Sequence, residues 1–197
     1  MILLPQFHFP ALLAVTTTTS LRRRVSSSIT RITSYTTAKM STPEIYTFGK
    51  YAIDPKEVFY STELSYAMVN LRPLLPGHVL VCPKREVKRF ADLSSEETSD
   101  LWAAAQIVGK KIEIFHSATS LTFAIQDGPQ AGQSVPHVHI HIVPRKVNDF
   151  ANNDEIYDAL DEKEKELNRK LDLDKERKDR SLEEMAKEAE DYRSLFL

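Results

Sequence analysis

The chain has 197 residues, of which 42% are hydrophobic and 27% charged, a usage that excludes collagen-like, fully disordered and membrane-embedded classes. Its one cysteine, Cys82, excludes an internal disulfide and a multi-cysteine zinc or iron–sulfur site. The net charge of −2 combines a basic leader, a near-neutral middle and an acidic C-terminal segment, so no broad basic face for a nucleic acid duplex is predicted.

Residues 1–40 have the composition of an organellar transit segment. They contain five basic and no acidic residues, and Ser and Thr are dense from Thr16 to Thr37. The apolar stretch ends at Val15, short of the roughly 20 residues that a membrane-spanning helix needs. The sequence therefore predicts a chloroplast or mitochondrial targeting segment, and a disordered extension without targeting function is the alternative. Met40 offers a second start, which would produce a leaderless cytosolic form.

Residues 41–150 form the predicted catalytic domain, and its first elements are short strands. β-Branched and aromatic runs predict strands at 58–60 and 66–69, and a buried strand is predicted at 78–82. The connections between these strands are shorter than the dozen or more residues that a parallel crossover needs. The sequence therefore predicts an antiparallel sheet.

A long helix follows these strands. Ser94 and Glu97 form a capping-box pair that marks its start. Apolar residues then recur at three- and four-residue spacing at Leu101, Trp102, Ala105, Val108, Ile112 and Phe115. We expect Trp102 to pack in the core and His116, at the end of the helix, to complement the helix dipole at the surface. The predicted fold class is α+β, with one long helix packed on an antiparallel sheet.

The remaining elements are two strands and a charged tail. Strands are predicted at 121–126 and from near Val135 to Pro144, with a loop holding two glycines between them. Residues 151–197 are predicted to form a charged, partly helical tail, in which Ser181 and Glu184 give a second capping box. The stretch from Lys163 to Arg180 is nearly all charged, so we expect it to be solvated.

Three histidines alternate with aliphatic residues in the last predicted strand. Alternate side chains of a strand face opposite ways, so His137, His139 and His141 share one face and the aliphatic residues the other. A zinc site is one interpretation. However, His137 and His141 would stand ~13–14 Å apart along a straight strand. Zinc–nitrogen bonds are about 2.0–2.1 Å long, so the strand would have to bend.

A nucleophilic histidine is the interpretation we favour. A neutral imidazole attacks phosphorus, and neighbouring imidazoles donate to the non-bridging oxygens where charge develops. The preceding loop suits an anion, because its glycines allow close backbone approach and Gln133 and Ser134 add polar side chains.

The motif His137-Val138-His139-Ile140-His141-Ile142 resembles the signature of the histidine triad superfamily of nucleotide hydrolases and transferases. Further blocks at 70–73, 76–83, 120–123 and 126–133 resemble its fragile histidine triad branch, the dinucleoside triphosphate hydrolases. The similarity extends from about Phe48 to about Tyr157. The resemblance implies an α+β histidine triad fold that dimerises into one continuous sheet.

The resemblance also implies residue roles. His139 would attack the α-phosphorus and carry a transient nucleotidyl group, with His137 and His141 flanking it and His78 supporting the array. Gln133 would hold the bridging or leaving oxygen. The implied substrate-binding residues are Asn70 at the ribose, Gln126 near the phosphates and sugar, and His141. The loop residues Gly132, Gln133, Ser134 and Val135 would face the phosphates. Tyr51 matches a nucleotide-pocket position where better-known members carry a histidine.

The implied activity is cleavage of diadenosine triphosphate to AMP and ADP, and some plant-type members of this branch also cleave adenylyl sulfate. The expected partners are a nucleotide substrate and a second copy of the chain, without a membrane. A divalent cation, Mg or Mn, is expected to arrive with the substrate, with no tightly bound cofactor and no metal site in the protein. The alternatives are a nucleoside phosphoramidase of the same superfamily, a nucleotide-sensing signalling protein and a zinc protein.

Overall fold

The computed structural model describes residues 45–169 and 179–197. The predicted targeting segment in residues 1–40 and the start at Met40 lie outside the described residues. Half of the charged stretch from 163 to 180, residues 170–178, does so too. The strands are β1 (Tyr46–Phe48), β2 (Tyr51–Ile53), β3 (Val58–Ser61), β4 (Ser65–Val69), β5 (Val79–Pro83), β6 (Ser120–Ala124) and β7 (Ile140–Arg145). The helices are α1 (Ser95–Phe115), α2 (Glu155–Arg169) and α3 (Leu182–Arg193).

The strands form two antiparallel sheets. β1 and β2 make a hairpin, and the other five strands make a sheet in the order β3-β4-β5-β7-β6. All neighbours in the larger sheet are antiparallel, which confirms the prediction from the short connections. β7 therefore lies between β5 and β6, and this central position buries the strand that carries His141.

Helix α1 packs on one face of the five-stranded sheet. Its N-cap is Ser94, and both halves of the capping box with Glu97 are present, as predicted. The buried stripe of α1 joins the sheet core at Leu101, Ala104, Ala105, Val108 and Ile112. The expectation that Trp102 packs in the core is wrong, because its side chain is 42% exposed and lies beside Phe123 of β6.

Strand β7 begins later than the sequence pattern predicts. It starts at Ile140 instead of near Val135. Pro136 has no N–H for a sheet hydrogen bond, and the N–H of His137 donates to the carbonyl of Val135, which closes a tight turn. The N–H of Val138 donates to Val87, outside the sheet strands. His137 and His139 therefore lie in irregular backbone that leads into the strand.

The C-terminal segment is part of the core. α3 begins with the predicted capping box of Ser181 and Glu184, and its buried side chains Met185, Ala189 and Tyr192 join the cluster that contains α1. The expectation that Arg180 is solvated is wrong, since its side chain is 21% exposed and pairs with Glu188. Among the helices of the described ranges, none combines the length and the apolar character needed to cross a bilayer.

Candidate active site

The three motif histidines lie on the sheet face opposite α1. Val138, Ile140 and Ile142 belong to the core beneath α1, so alternation places His137, His139 and His141 on the other side. These three side chains are 0–1% exposed. The ring of Phe48, at the end of β1, meets the ring of His139 edge-on with centroids 5.0 Å apart. The predicted shared face is confirmed, although two of the three residues precede the strand.

His137 is held by backbone groups at both ring nitrogens. The N–H of Gly49 donates to Nδ1 (3.1 Å), so the proton lies on Nε2, which donates to the carbonyl of Pro83 (2.9 Å). Burial lowers the pKa of His137, which keeps the ring neutral. His137 therefore anchors the turn before β7, and its ring has no remaining N–H to offer a phosphate oxygen.

The backbone of His137 orients His139. Nδ1–H of His139 donates to the carbonyl of His137 (2.8 Å). A neutral imidazole carries one proton, so this bond leaves the lone pair on Nε2 of His139. A nitrogen lone pair held in one direction by a backbone hydrogen bond is the form required of a nucleophile.

His78 sets the protonation of His141 through a relay of hydrogen bonds. The N–H of Leu74 donates to Nδ1 of His78 (3.1 Å), so Nε2 of His78 carries the proton and donates to Nδ1 of His141 (3.0 Å). Nε2 of His141 then carries a proton. Of the two histidines that flank His139, His141 is thus the one with an N–H at Nε2, the kind of group that stabilises developing charge on a phosphate oxygen.

Burial keeps this relay neutral. It lowers the pKa of His78 to about 3, and the neighbouring His139 adds to the shift. Burial also lowers the pKa of His141 well below its ordinary value, with smaller contributions from His139 and His78. The N–H at Nε2 of His141 therefore belongs to a neutral imidazole that does not titrate near neutral pH.

The predicted phosphate loop lies between β6 and the histidines. Oε1 of Gln133 accepts from the N–H of Gly128 (3.1 Å), and Nε2 of Gln133 donates to the carbonyl of Lys88 (3.0 Å). Ser134 follows it, half-buried, and Val135 is buried against the cluster around Phe48. In this structure the Gln133 amide organises the loop, so it must turn to reach a phosphate.

Gln126 and Gly132 lie against each other. A Cβ on Gly132, which has φ +91°, would lie 2.5 Å from Nε2 of Gln126. The same Gln126 nitrogen donates to Oδ1 of Asp161 in α2 (2.7 Å). Ile156 and Leu160 of α2 are buried in one cluster with Val143, so α2 covers the histidine face of the sheet. The pattern of the tail gave no signal for Asp161.

Asn70 and Tyr51 occupy two sides of the array. The amide nitrogen of Asn70 lies 3.2 Å from Nε2 of His78, which brings it to the relay. Tyr51 lies on β2, where it pairs with Phe48 of β1, and it is 43% exposed. Sequence reasoning missed Gly49 and Leu74, because a backbone N–H that orients a ring leaves no mark in residue type.

The geometry does not favour the zinc interpretation. Both ring nitrogens of His137 and both of His78 are engaged within the protein. Within residues 45–169 and 179–197, no group of three or more His, Cys, Asp or Glu side chains is arranged to hold a metal ion.

Comparison with known proteins gives one consistent family. Residues 53–148 match the model of the HIT domain. A bifunctional bis(5'-adenosyl)-triphosphatase/adenylylsulfatase of Arabidopsis thaliana is 74% identical over 156 residues, which are 79% of this chain and 87% of that protein. A bis(5'-adenosyl)-triphosphatase of Dictyostelium discoideum is 52% identical over 149 residues, covering 76% of this chain and 91% of that protein.

Two crystal structures share the fold. The nitrilase and fragile histidine triad fusion protein of Caenorhabditis elegans superposes with a TM-score of 0.63 at 41% identity, over 79% of this chain but only 31% of the fusion protein. The diadenosine triphosphate hydrolase of Plasmodium falciparum, solved with cyclomarin A, has a TM-score of 0.54 at 39% identity, over 68% of this chain and 91% of that one.

Proposed function

The chain belongs to the histidine triad family, and from this membership we propose that it is a bis(5'-adenosyl)-triphosphatase that cleaves diadenosine triphosphate to AMP and ADP. The Arabidopsis relative is named for this activity and for adenylylsulfatase activity, and the Dictyostelium relative for the first. The observation that carries the mechanism is the hydrogen bond from Nδ1 of His139 to the carbonyl of His137, which leaves the lone pair of the ring on Nε2.

The reaction proceeds by two displacements at one phosphorus. Nε2 of His139 attacks the α-phosphorus, a nitrogen–phosphorus bond forms, and the bond to the ADP oxygen breaks. Water then attacks the same phosphorus, the nitrogen–phosphorus bond breaks, and AMP leaves. Nε2–H of His141 donates to a non-bridging oxygen in both steps. With adenylyl sulfate the first leaving group is sulfate, and the second step is unchanged.

The test of this function is turnover by the purified protein. Diadenosine triphosphate should give AMP and ADP in equal amounts, and adenylyl sulfate should give AMP and sulfate. A lysyl-linked adenylate is assayed in parallel, because a phosphoramidase would cleave it faster than diadenosine triphosphate. Absence of AMP from both of the first two substrates would refute the proposal.

The proposal includes a divalent cation that accompanies the substrate and an organellar location of the full chain. The divalent ion, Mg or Mn, is brought by the polyphosphate, whose oxygens are hard ligands. The composition of residues 1–40 supports a chloroplast or mitochondrial location for the full chain and a cytosolic one for a form starting at Met40.

A homodimer built through β6 is the proposed assembly. β6 is an edge strand of the larger sheet, so its outer backbone groups can pair with β6 of a second copy and extend the sheet. Trp102 of α1 and Phe123 of β6 lie next to this edge, 42% and 38% exposed, with ring centroids 6.5 Å apart. Apolar rings at an unpaired edge support an interface between copies.

Replacing Phe123 with aspartate is expected to convert the dimer to a monomer, because it places a charge at the centre of the proposed interface. Sedimentation equilibrium measures the mass. Ile45→Asp is the matched control, since Ile45 is 84% exposed on the N-terminal side of β1 and should leave the dimer intact. A Phe123→Asp protein that stays dimeric would show that the interface lies elsewhere.

Replacing Gln133 with alanine is expected to lower kcat by about 10- to 100-fold with a smaller change in KM, because its amide acts on the reacting oxygen. Steady-state kinetics with diadenosine triphosphate measures both constants. Gln130→Ala in the same loop is the control, since this glutamine is exposed and should keep the wild-type kcat. A raised KM with unchanged kcat in Gln133→Ala would argue for ground-state binding only.

A further inference from the structure

Two consecutive residues before α3 contact the loop that follows β4. Nη1 of Arg180 donates to the backbone carbonyl of Asn70 (3.1 Å). Nε of Arg72 donates to Oδ1 of Asp179 (2.6 Å), and the Arg72 side chain is only 11% exposed. Residues 179 and 180 lie more than 100 positions away in the sequence, and they hold both ends of the turn at residues 70–72.

The Arg180 side chain is fixed from the opposite side. Its Nη1 lies 2.5 Å from Oε2 of Glu188 in α3, and each of the two side chains is 21% exposed. Glu188 also accepts from the hydroxyl of Tyr192 (2.6 Å), whose ring is fully buried in the main core. Because α3 is anchored in this core, Glu188 fixes the position of the Arg180 guanidinium that also contacts Asn70.

The turn that Arg180 holds carries a side chain of the active site. Oδ1 of Asn70 accepts from the N–H of Arg72 (2.9 Å), so the conformation of the turn sets the direction of the Asn70 amide. The amide nitrogen of Asn70 lies 3.2 Å from Nε2 of His78. His78 itself is oriented independently of Asn70, by the hydrogen bond from the N–H of Leu74 to its Nδ1.

We propose that Arg180 is a positioning residue for substrate binding, which acts by holding the backbone of Asn70 so that the Asn70 amide meets the nucleotide. This inference rests on the proposed function and deepens it. Arg180 touches the carbonyl of Asn70 and no histidine, and His78 keeps its own backbone donor. The loss of Arg180 should therefore weaken binding far more than it slows the chemical step.

The experiment compares two arginines of the C-terminal segment. Arg180→Ala should raise KM for diadenosine triphosphate by about tenfold, the effect of one lost hydrogen bond to substrate, with kcat changed less than about twofold. Arg193→Ala is the matched control. Arg193 also donates to backbone carbonyls of the domain, those of Val58 (3.1 Å) and Lys56 (2.6 Å), but it contacts neither Asn70 nor a histidine in the structure. Its KM should stay at the wild-type value.

Two further variants separate positioning from general stability. Arg180→Lys keeps a cation between Glu188 and Asn70 and should recover most of the lost affinity. In an Asn70→Ala background, Arg180→Ala should add no further increase in KM, since the residue acts through Asn70. Binding of AMP, measured by calorimetry, gives the same comparison without turnover.

The outcomes distinguish this inference from the proposed function. Three results would overturn the positioning role while leaving the function in place. They are equal changes in KM for Arg180→Ala and Arg193→Ala, an unchanged KM in Arg180→Ala, and a full additional effect of Arg180→Ala in the Asn70→Ala background. A wild-type protein that neither hydrolyses diadenosine triphosphate nor binds AMP would overturn both.

Discussion

His139→Ala is expected to reduce kcat for diadenosine triphosphate by about 10⁴-fold or more, because the variant has no nitrogen to attack the α-phosphorus. AMP binding should remain measurable, since the phosphate loop and the Asn70 amide do not depend on the His139 ring. Single-turnover kinetics and calorimetry with AMP measure the two effects separately. The combination of lost chemistry and retained binding distinguishes a nucleophile from a structural histidine.

The covalent intermediate on His139 is detected by mass spectrometry of the wild-type protein and of this variant. Wild-type protein quenched in alkali during turnover should carry the mass of one adenylyl group on His139, and alkali is used because nitrogen–phosphorus bonds of histidine are acid-labile. The His139→Ala protein should carry none. A variant that keeps a sizeable fraction of the wild-type rate, or an adduct on another side chain, would show that His139 is not the nucleophile.

The free energy of unfolding is expected to fall steeply between pH 6.5 and pH 5. Burial lowers the pKa of His78 to about 3 and also lowers the pKa of His141 and His137. In this range the unfolded chain binds protons at His78 and His141 and the folded chain does not, so stability falls as pH falls. The lowered pKa of His137 acts in the same direction. Together His78 and His141 contribute roughly 3 kcal/mol per pH unit once the pH is well below 6.5.

Urea unfolding at a series of pH values measures this slope. The carboxylates contribute at lower pH, since the pKa of Asp149, held by the Arg145 guanidinium, is lowered to about 2 from a value near 3.8. Asp149→Asn is therefore the control, because it lowers stability without changing the slope between pH 6.5 and 5. A wild-type stability that stays constant over this range would contradict the buried neutral state of the histidines.

Local patterns in the sequence predicted local structure well. The capping boxes of Ser94 with Glu97 and Ser181 with Glu184 are both formed, since each depends on groups three residues apart. The shared face of the motif histidines is present, although His137 and His139 precede the strand: both rings contact Phe48, and the ring of His139 contacts that of His141. The start of β7 was placed too early because the turn at Pro136 depends on a bond that the strand pattern does not encode.

Trp102 shows where local patterns fail. Its position on the apolar stripe of α1 predicted burial, yet the sheet ends at β6 and leaves the ring at an open edge. Periodicity gives the side of a helix on which a residue lies, but whether that side is covered depends on how far the sheet extends.

The sequence by itself determined the α+β class, the antiparallel sheet and the starts of α1 and α3, because these depend on residue type and on spacings of a few residues. Only the tertiary structure decided which nitrogen of His137 carries the proton. The backbone groups that set it belong to Gly49 and Pro83, which are 88 and 54 positions away in the sequence. The tertiary structure also decided that Arg180 reaches Asn70 across 110 positions. A hydrogen bond between distant segments exists only after the core has packed, and no short stretch of residues encodes it.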